Sequence, residues 1–388
     1  MKSDSTNPEA AMGTAAQVEP AIAWDEALGG WTVSSYEAVR LALLDPGRFD
    51  SEGNPIAANL AGKAMLVDDS PVHDAFRALW AKALSPPAAA AWRGELEQLA
   101  KELLAPVMAR LREGAVTDLV PLFESFTGRV VLRLLGLDGL EERRFKRWYK
   151  LLLDSAAFLV GPDDSLYDER AAAKSEVYAM LEAALDERQA RLRQGEKLTD
   201  LIALAAPAEG TRGITRTVIL DNLFNMFTGG ADTTLRWMGN AIVLLYRNSL
   251  ALAEIRLKPD LLAQALEEVM RIEAVTRFAI RTVRQEGSCL AGQQLALGDT
   301  IYLLTSRANR DPAVYAEPAE FDIHRRSRPH LGFSYGRHKC IGMHLARVET
   351  QVLIGRILAE LPCLNIVEVD YGDQTVVRGP QRLLVSLA

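Results

Sequence analysis

The sequence predicts a mainly α-helical protein with small β-sheets, and three observations carry that prediction. Apolar residues recur at helical spacing over Trp92 to Leu111, Val120 to Leu137, Glu141 to Leu159 and Asp164 to Gln194. One proline-free segment, Ile214 to Tyr246, is apolar on several faces and should cross a core rather than lie on it. Strand-like runs are few and short: Trp31 to Val33, Ile280 to Val283, Ser288 to Leu290, Thr300 to Leu304, Asn365 to Val369, Thr375 to Val377 and Leu383 to Ser386.

The 388 residues carry a net charge of −7, which argues against nucleic acid as a general partner. Cys289, Cys340 and Cys363 form neither a disulfide framework nor a C-x-x-C pair, a usage that suits a reducing, cytoplasmic compartment. Met1 to Pro20 lacks the apolar centre of a signal peptide and is expected to be a disordered tail, with residues 21–388 as one domain. No apolar run reaches the ~18 residues of a membrane span, so a soluble chain with no membrane partner is expected.

In chain order, Tyr36 to Leu44 reads as a helix stopped by Pro46 and Gly47. Phe49 to Asp68 reads as a long loop, of the kind that borders functional sites. Pro71 suits the first turn of a helix that puts His73 and Arg77 on one face. Leu201 to Pro207 is short and apolar, and Gly210 and Gly213 break the chain before the long apolar segment. In the middle of that segment stands Gly229-Gly230-Ala231-Asp232-Thr233-Thr234. Two glycines inside a buried helix cost about 1 kcal/mol each, so either a ligand groove or a close helix–helix contact should compensate. Leu261 to Ile272 is a helix that places Glu268 and Arg271 on one face.

The stretch from His330 to Gly342 reads as an irregular loop ending at Cys340. Leu345, Val348, Val352, Leu353 and Ile357 then continue at helical spacing. A thiol at a helix N-terminus is expected to have a lowered pKa, because the dipole and free N–H groups favour the thiolate. Gly336 and Gly342 let the backbone wrap the sulfur, and Phe333 offers a face to a flat apolar ligand. The alternative is a buried structural thiol.

The spacing Phe-x-x-Gly-x-x-x-Cys-x-Gly over Phe333 to Gly342 resembles the haem-binding loop of the cytochrome P-450 superfamily, with Ser334 where bacterial members usually have glycine. The resemblance spans roughly residues 24–388 and implies the cytochrome P-450 fold, with a long central helix over haem b. It implies Cys340 as the iron ligand, Phe333 and Gly336 at the haem, and His73, Arg77, Arg281 and His330 at its propionates. His338 and His344 flank the thiolate. Asp232 and Thr233 correspond to the acid–alcohol pair that delivers protons, and Glu268, Arg271 and Arg325 to a structural trio. Asn225, Thr228 and Arg277 are expected at the substrate; Arg277 would bind a substrate carboxylate, or else pair with a propionate or Glu273.

The implied activity is insertion of one oxygen atom from O2 into a small organic substrate, by hydroxylation or oxidative dealkylation. No fused flavin reductase or ferredoxin cysteines are present, so a separate ferredoxin and ferredoxin reductase with NAD(P)H are the implied partners. Arg337, Lys339 and Arg347 would form a basic docking patch for that ferredoxin, or simply a solvated face. Two rivals stand: a peroxygenase using H2O2, and a non-catalytic haem-binding sensor. Asp232 and Thr233 argue against both, since neither needs proton delivery to dioxygen.

Overall fold

The computed structural model describes residues 20–52, 62–153, 165–326, 328–372 and 376–387. Helix α1 (Tyr36–Leu44) starts at Ser35, whose side chain accepts from the Ala38 N–H. Helix α2 (Pro71–Ala81) has Pro71 in its first turn and Ser70 as its cap. There follow α3 (Pro86–Ala91), α4 (Arg93–Arg112) and α5 (Val120–Leu135), the last ended by Gly136 at φ +74°. Helices α6 (Glu142–Leu153), α7 (Tyr167–Arg193) and α8 (Leu201–Ala205) lead to the long helix α9 (Arg216–Arg247), capped by Thr215. Helices α10 (Ser249–Leu257), α11 (Leu261–Ile272), α12 (Thr305–Ala308) and α13 (Met343–Glu360) complete the helical set among the described residues.

The strands are β1 (Ile22–Asp25), β2 (Gly30–Val33), β3 (Phe49–Asp50), β4 (Thr117–Asp118), β5 (Ala279–Val283), β6 (Cys289–Leu290), β7 (Gln293–Gln294), β8 (Thr300–Leu303), β9 (Leu364–Asp370) and β10 (Arg382–Leu387). They form a five-stranded sheet ordered β1-β2-β8-β5-β3, a three-stranded sheet β4-β10-β9 and the hairpin β6-β7. Among the described residues only β2 and β8 pair in parallel, with Trp31 opposite Ile301.

Helix α9 crosses the core as its apolar sequence requires, burying Phe224, Phe227, Leu235, Trp237 and Met238. It packs against α5, α7, α11 and α13. Helix α13 buries Leu345, Val352, Leu353 and Ile357, the stripe read from the sequence. Between α11 and the chain after α12, Glu268 binds Arg271 through both oxygens at 2.8 Å and accepts from Arg325 Nε at 3.0 Å. Arg271 also donates to the carbonyls of Asn309 and Pro318. These carbonyls lie on irregular chain, so the trio supplies hydrogen bonds that no helix or sheet would provide.

The structure differs from the sequence reading in several elements. Phe49 and Asp50 are not loop but β3, held antiparallel to Thr282 and Val283. Of the strand expected at Thr375 to Val377, Val377 makes one isolated bridge with Thr276, and Thr375 lies outside the described residues. The expected tail, much of the Phe49 to Asp68 loop and the end of the Glu141 to Leu159 helix also lie outside them. Strand β1 and helix α3 carry too short a pattern to declare themselves in sequence, and α10 follows α9 after the single residue Asn248, with no proline or glycine to mark its start.

Candidate functional site

The loop before α13 is built around Cys340. Its N–H donates to the Phe333 carbonyl at 2.9 Å, and Gly336–His338 form one 3-10 turn between them. Gly336 has φ +68°, and a Cβ there would clash with the Leu43 carbonyl oxygen, so no other residue fits against α1. The N–H groups of Gly342 and Met343 approach the sulfur, as a helix N-terminus should provide. The expected lowering of the thiol pKa does not follow, however. Burial pushes the Cys340 thiol up, outweighing those N–H groups and the charges of Arg77 and Arg347. The residue is nonetheless accessible.

Phe333 ties this loop to α9 through an edge-on contact with Trp237, ring centres 5.6 Å apart. Trp237 lies one turn beyond Thr233, so the loop and the middle of α9 are neighbours. The two glycines there divide the alternatives between them. Gly229 is exposed, and a Cβ on it would meet nothing within 4 Å. A Cβ on Gly230 would lie 2.9 Å from Val131 Cγ2, so Gly230 permits close contact with α5. Thr233 is half-buried and donates to the Gly229 carbonyl at 3.0 Å. Asp232 is 3% exposed; its Oδ1 accepts from the Tyr149 hydroxyl at 2.7 Å and from Arg236 Nε at 3.1 Å. Asp232 and Thr233 thus point to different partners, and Tyr149 was not foreseen because it lies far away in sequence, on α6.

A cationic cluster faces the loop from α2. His73 is 1% exposed; its Nδ1 lies 2.9 Å from Asp74 Oδ1 and 3.0 Å from Arg337 Nε, while its buried Nε2 has no partner among the described residues. His338 places Nε2 at 2.6 Å from Asp69 Oδ1, its Nδ1 is likewise buried without a partner, and its ring centre lies 5.0 Å from that of His73. Burial would raise the Asp69 carboxyl, but His338, the Ser51 N–H and Arg281 together hold it at about 2. Arg281 is buried on β5, donates to its own Ile280 carbonyl and feels the charges of Asp69 and Asp50. Arg77 donates to the Lys339 carbonyl at 2.7 Å.

The remaining expected residues lie as follows. His330 is not brought to this cluster: its Nε2 lies 3.3 Å from Glu267 Oε2 and its Nδ1 accepts from the Gly332 N–H. Arg347 grips the same Glu267 at 2.8 and 2.6 Å and covers the Phe333 ring, while Arg337 turns inward to Ser70 and Asp74. Of the expected patch of three cations, only Lys339 is exposed. Thr228 is buried with its hydroxyl on the Phe224 carbonyl, and Asn225 is half-buried. Arg277 is buried just before β5, where burial and the nearby Arg378 push it down to about 10. Glu273, one partner considered for it, binds Arg378 and Arg310. His338 is the histidine the sequence undervalued; nothing in local spacing links it to Asp69.

An accessible cysteine with N–H groups aimed at its sulfur, an open glycine face on the adjoining helix, and buried imidazole nitrogens lacking partners among the described residues beside two arginines fit a flat, thiolate-ligated macrocycle bearing carboxylates. The comparisons agree. The Cytochrome P450 family model matches residues 258–370. The chain is 26% identical to the Biotin biosynthesis cytochrome P450 of Bacillus subtilis, over 88% of this chain and 86% of that one. It is 28% identical to Mycinamicin VIII C21 methyl hydroxylase of Micromonospora griseorubida, over 91% and 88%. Among solved structures, the LnmA cytochrome P450 hydroxylase of Streptomyces atroolivaceus superposes with a TM-score of 0.79 at 28% identity, covering 92% of this chain and 90% of that one. The himastatin post-tailoring hydroxylase HmtN gives 0.82 at 25% identity, covering 96% and 95%. The chain belongs to the cytochrome P450 superfamily. It is a P450 monooxygenase, and its cofactor is haem b.

Proposed function

We propose that this enzyme hydroxylates, or oxidatively dealkylates, a small organic substrate with O2, drawing electrons from a separate ferredoxin and ferredoxin reductase supplied by NAD(P)H. The observation that carries this reading is the contact of Phe333 with Trp237, which sets the Cys340 loop beside the Asp232–Thr233 turn of α9. Haem bound through Cys340 supplies dioxygen activation, with thiolate donation favouring O–O cleavage. Nε2 of His73 and Nδ1 of His338, without partners among the described residues, would hold its propionates with Arg77 and Arg281; Phe333 and Gly336 would shape its proximal side. Thr233 presents a hydroxyl at the open face of Gly229, where it can hold a water. Asp232 is the nearest acid on α9 and acts as the proton source for that hydroxyl. Asn225 and the segment around Arg277 border the substrate.

The relatives named as hydroxylases favour C–H insertion. A peroxygenase needs no acid–alcohol pair, so Asp232 and Thr233 favour the O2-dependent reading. The ferredoxin would dock on the surface beside the Cys340 loop, where Lys339 is the exposed cation. No helix among the described residues is long and apolar enough to cross a membrane, and the free cysteines suit the cytoplasm as its compartment. Screening ligands by their Soret shift, then assaying product with a surrogate ferredoxin system or with H2O2 alone, tests this. Product that requires O2 and reductase is expected; equal product from H2O2 without reductase would establish the peroxygenase instead.

A further inference from the structure

Asp232 has two oxygens, and the structure treats them differently. Both hydrogen bonds it receives, from Tyr149 at 2.7 Å and Arg236 at 3.1 Å, fall on Oδ1. Among the described residues nothing donates to Oδ2. We propose that Tyr149 is the positioning residue of the catalytic acid: with Arg236 it fastens Oδ1 to the fold and leaves Oδ2 as the oxygen that exchanges the proton. This rests on the reading of Asp232 as the proton source for Thr233.

The grip is anchored on three separate elements. Tyr149 comes from α6, where it is buried beside Phe145, whose ring packs edge-on against Phe227 of α9 at 5.2 Å. Arg236 comes from α9 itself, one turn beyond the acid. Its Nη1 donates to the Pro380 carbonyl just before β10, which limits where its Nε can point. A carboxylate held from two directions on one oxygen cannot rotate to exchange its oxygens without breaking both bonds. Burial pushes the Tyr149 hydroxyl well above its ordinary value, so it remains a neutral donor. Because Tyr149 belongs to α6 and not to α9, the acid is placed only while α6 is packed on α9.

The test compares haem-loaded parent, Tyr149→Phe, Asp232→Asn and the double variant. Each is assayed with a surrogate ferredoxin system and a ligand that shifts the Soret band, in H2O and D2O. Tyr149→Phe removes one hydroxyl and should leave ligand affinity unchanged. It should raise the ratio of hydrogen peroxide to product about tenfold, the equivalent of one hydrogen bond to a charged group, and change the solvent isotope effect. In the Asp232→Asn background the same change should have no further effect, because coupled residues are not additive. Independently of turnover, the infrared carboxylate band that Asp232→Asn abolishes should shift in Tyr149→Phe. Should Tyr149→Phe fail to take up haem, Arg236→Gln removes the other donor to Oδ1 and should shift that band and raise peroxide in the same way. Parent-like coupling with an unshifted band, or a full effect persisting in the Asp232→Asn background, would overturn the proposal alone. Parent-like coupling and isotope effect in Asp232→Asn would remove Asp232 as the acid, and the proposal with it.

Discussion

Ser334 adopts φ +58° in the turn after Phe333, a conformation that costs an L-residue about 1–2 kcal/mol and glycine almost nothing. Ser334→Gly should therefore stabilise the protein, by about 0.5–1 kcal/mol once the greater freedom of glycine in the unfolded chain is offset. Thermal unfolding of the haem-loaded variant checks this, and an unchanged or lower midpoint would mean the loop tolerates serine without strain. Thr233 makes its bond to Gly229 within its own helix, so Thr233→Ala leaves the fold intact. It should keep ligand affinity but divert electrons to hydrogen peroxide; coupling equal to that of the parent would take Thr233 out of the mechanism. Residues of this kind were legible because their motifs are local. The surroundings of His330 and His338 were not legible for the opposite reason: their partners Glu267 and Asp69 lie far away in sequence.

Within α9 the glycine pair does two jobs that one motif conceals. Gly230→Ala would press a methyl against Val131 and should destabilise by about 1–3 kcal/mol, as overpacking does. Gly229→Ala meets no neighbour and gains helix propensity, so stability should rise by up to about 1 kcal/mol. Its methyl would, however, enter the open face and should weaken ligand binding. Urea unfolding and Soret titration of both variants separate the two effects; equal stability changes would refute the division. The Glu268–Arg271–Arg325 trio was also readable, from one helical spacing and one later arginine. Glu268 and Arg271 are both almost fully buried, so Glu268→Gln should cost about 3–5 kcal/mol by leaving Arg271 without its counter-charge. Strand β1 escaped notice because its pairing with β2, not its own pattern, decides it.

Over the whole molecule, helical periodicity disclosed most long helices to within a few residues, while sheet order was not readable. Strand β2 pairs with β8 from the other end of the chain, and no local pattern specifies that partner. Distant carboxylates also join elements across the molecule, and they set its acid limit. Burial would raise both Asp69 and Glu267. His338, the Ser51 N–H and the charge of Arg281 overcome it at Asp69, and hydrogen bonds from Arg347 and His330 overcome it at Glu267, holding each carboxyl at about 2, below its ordinary value. A depressed folded-state pKa stabilises above the unfolded value, and the gain is lost as protons bind, so stability should fall between roughly pH 4.5 and 2. Urea midpoints across that range check it, and Glu267→Gln should flatten the curve. The identity of the enzyme rests on one sulfur, and the most direct measurement is the spectrum of the reduced protein under carbon monoxide. The parent, Cys289→Ser and Cys363→Ser should all show the red-shifted Soret band of thiolate-ligated haem, and Cys340→Ser should lose it. A band that survives in Cys340→Ser would contradict the assignment of Cys340 as the haem ligand.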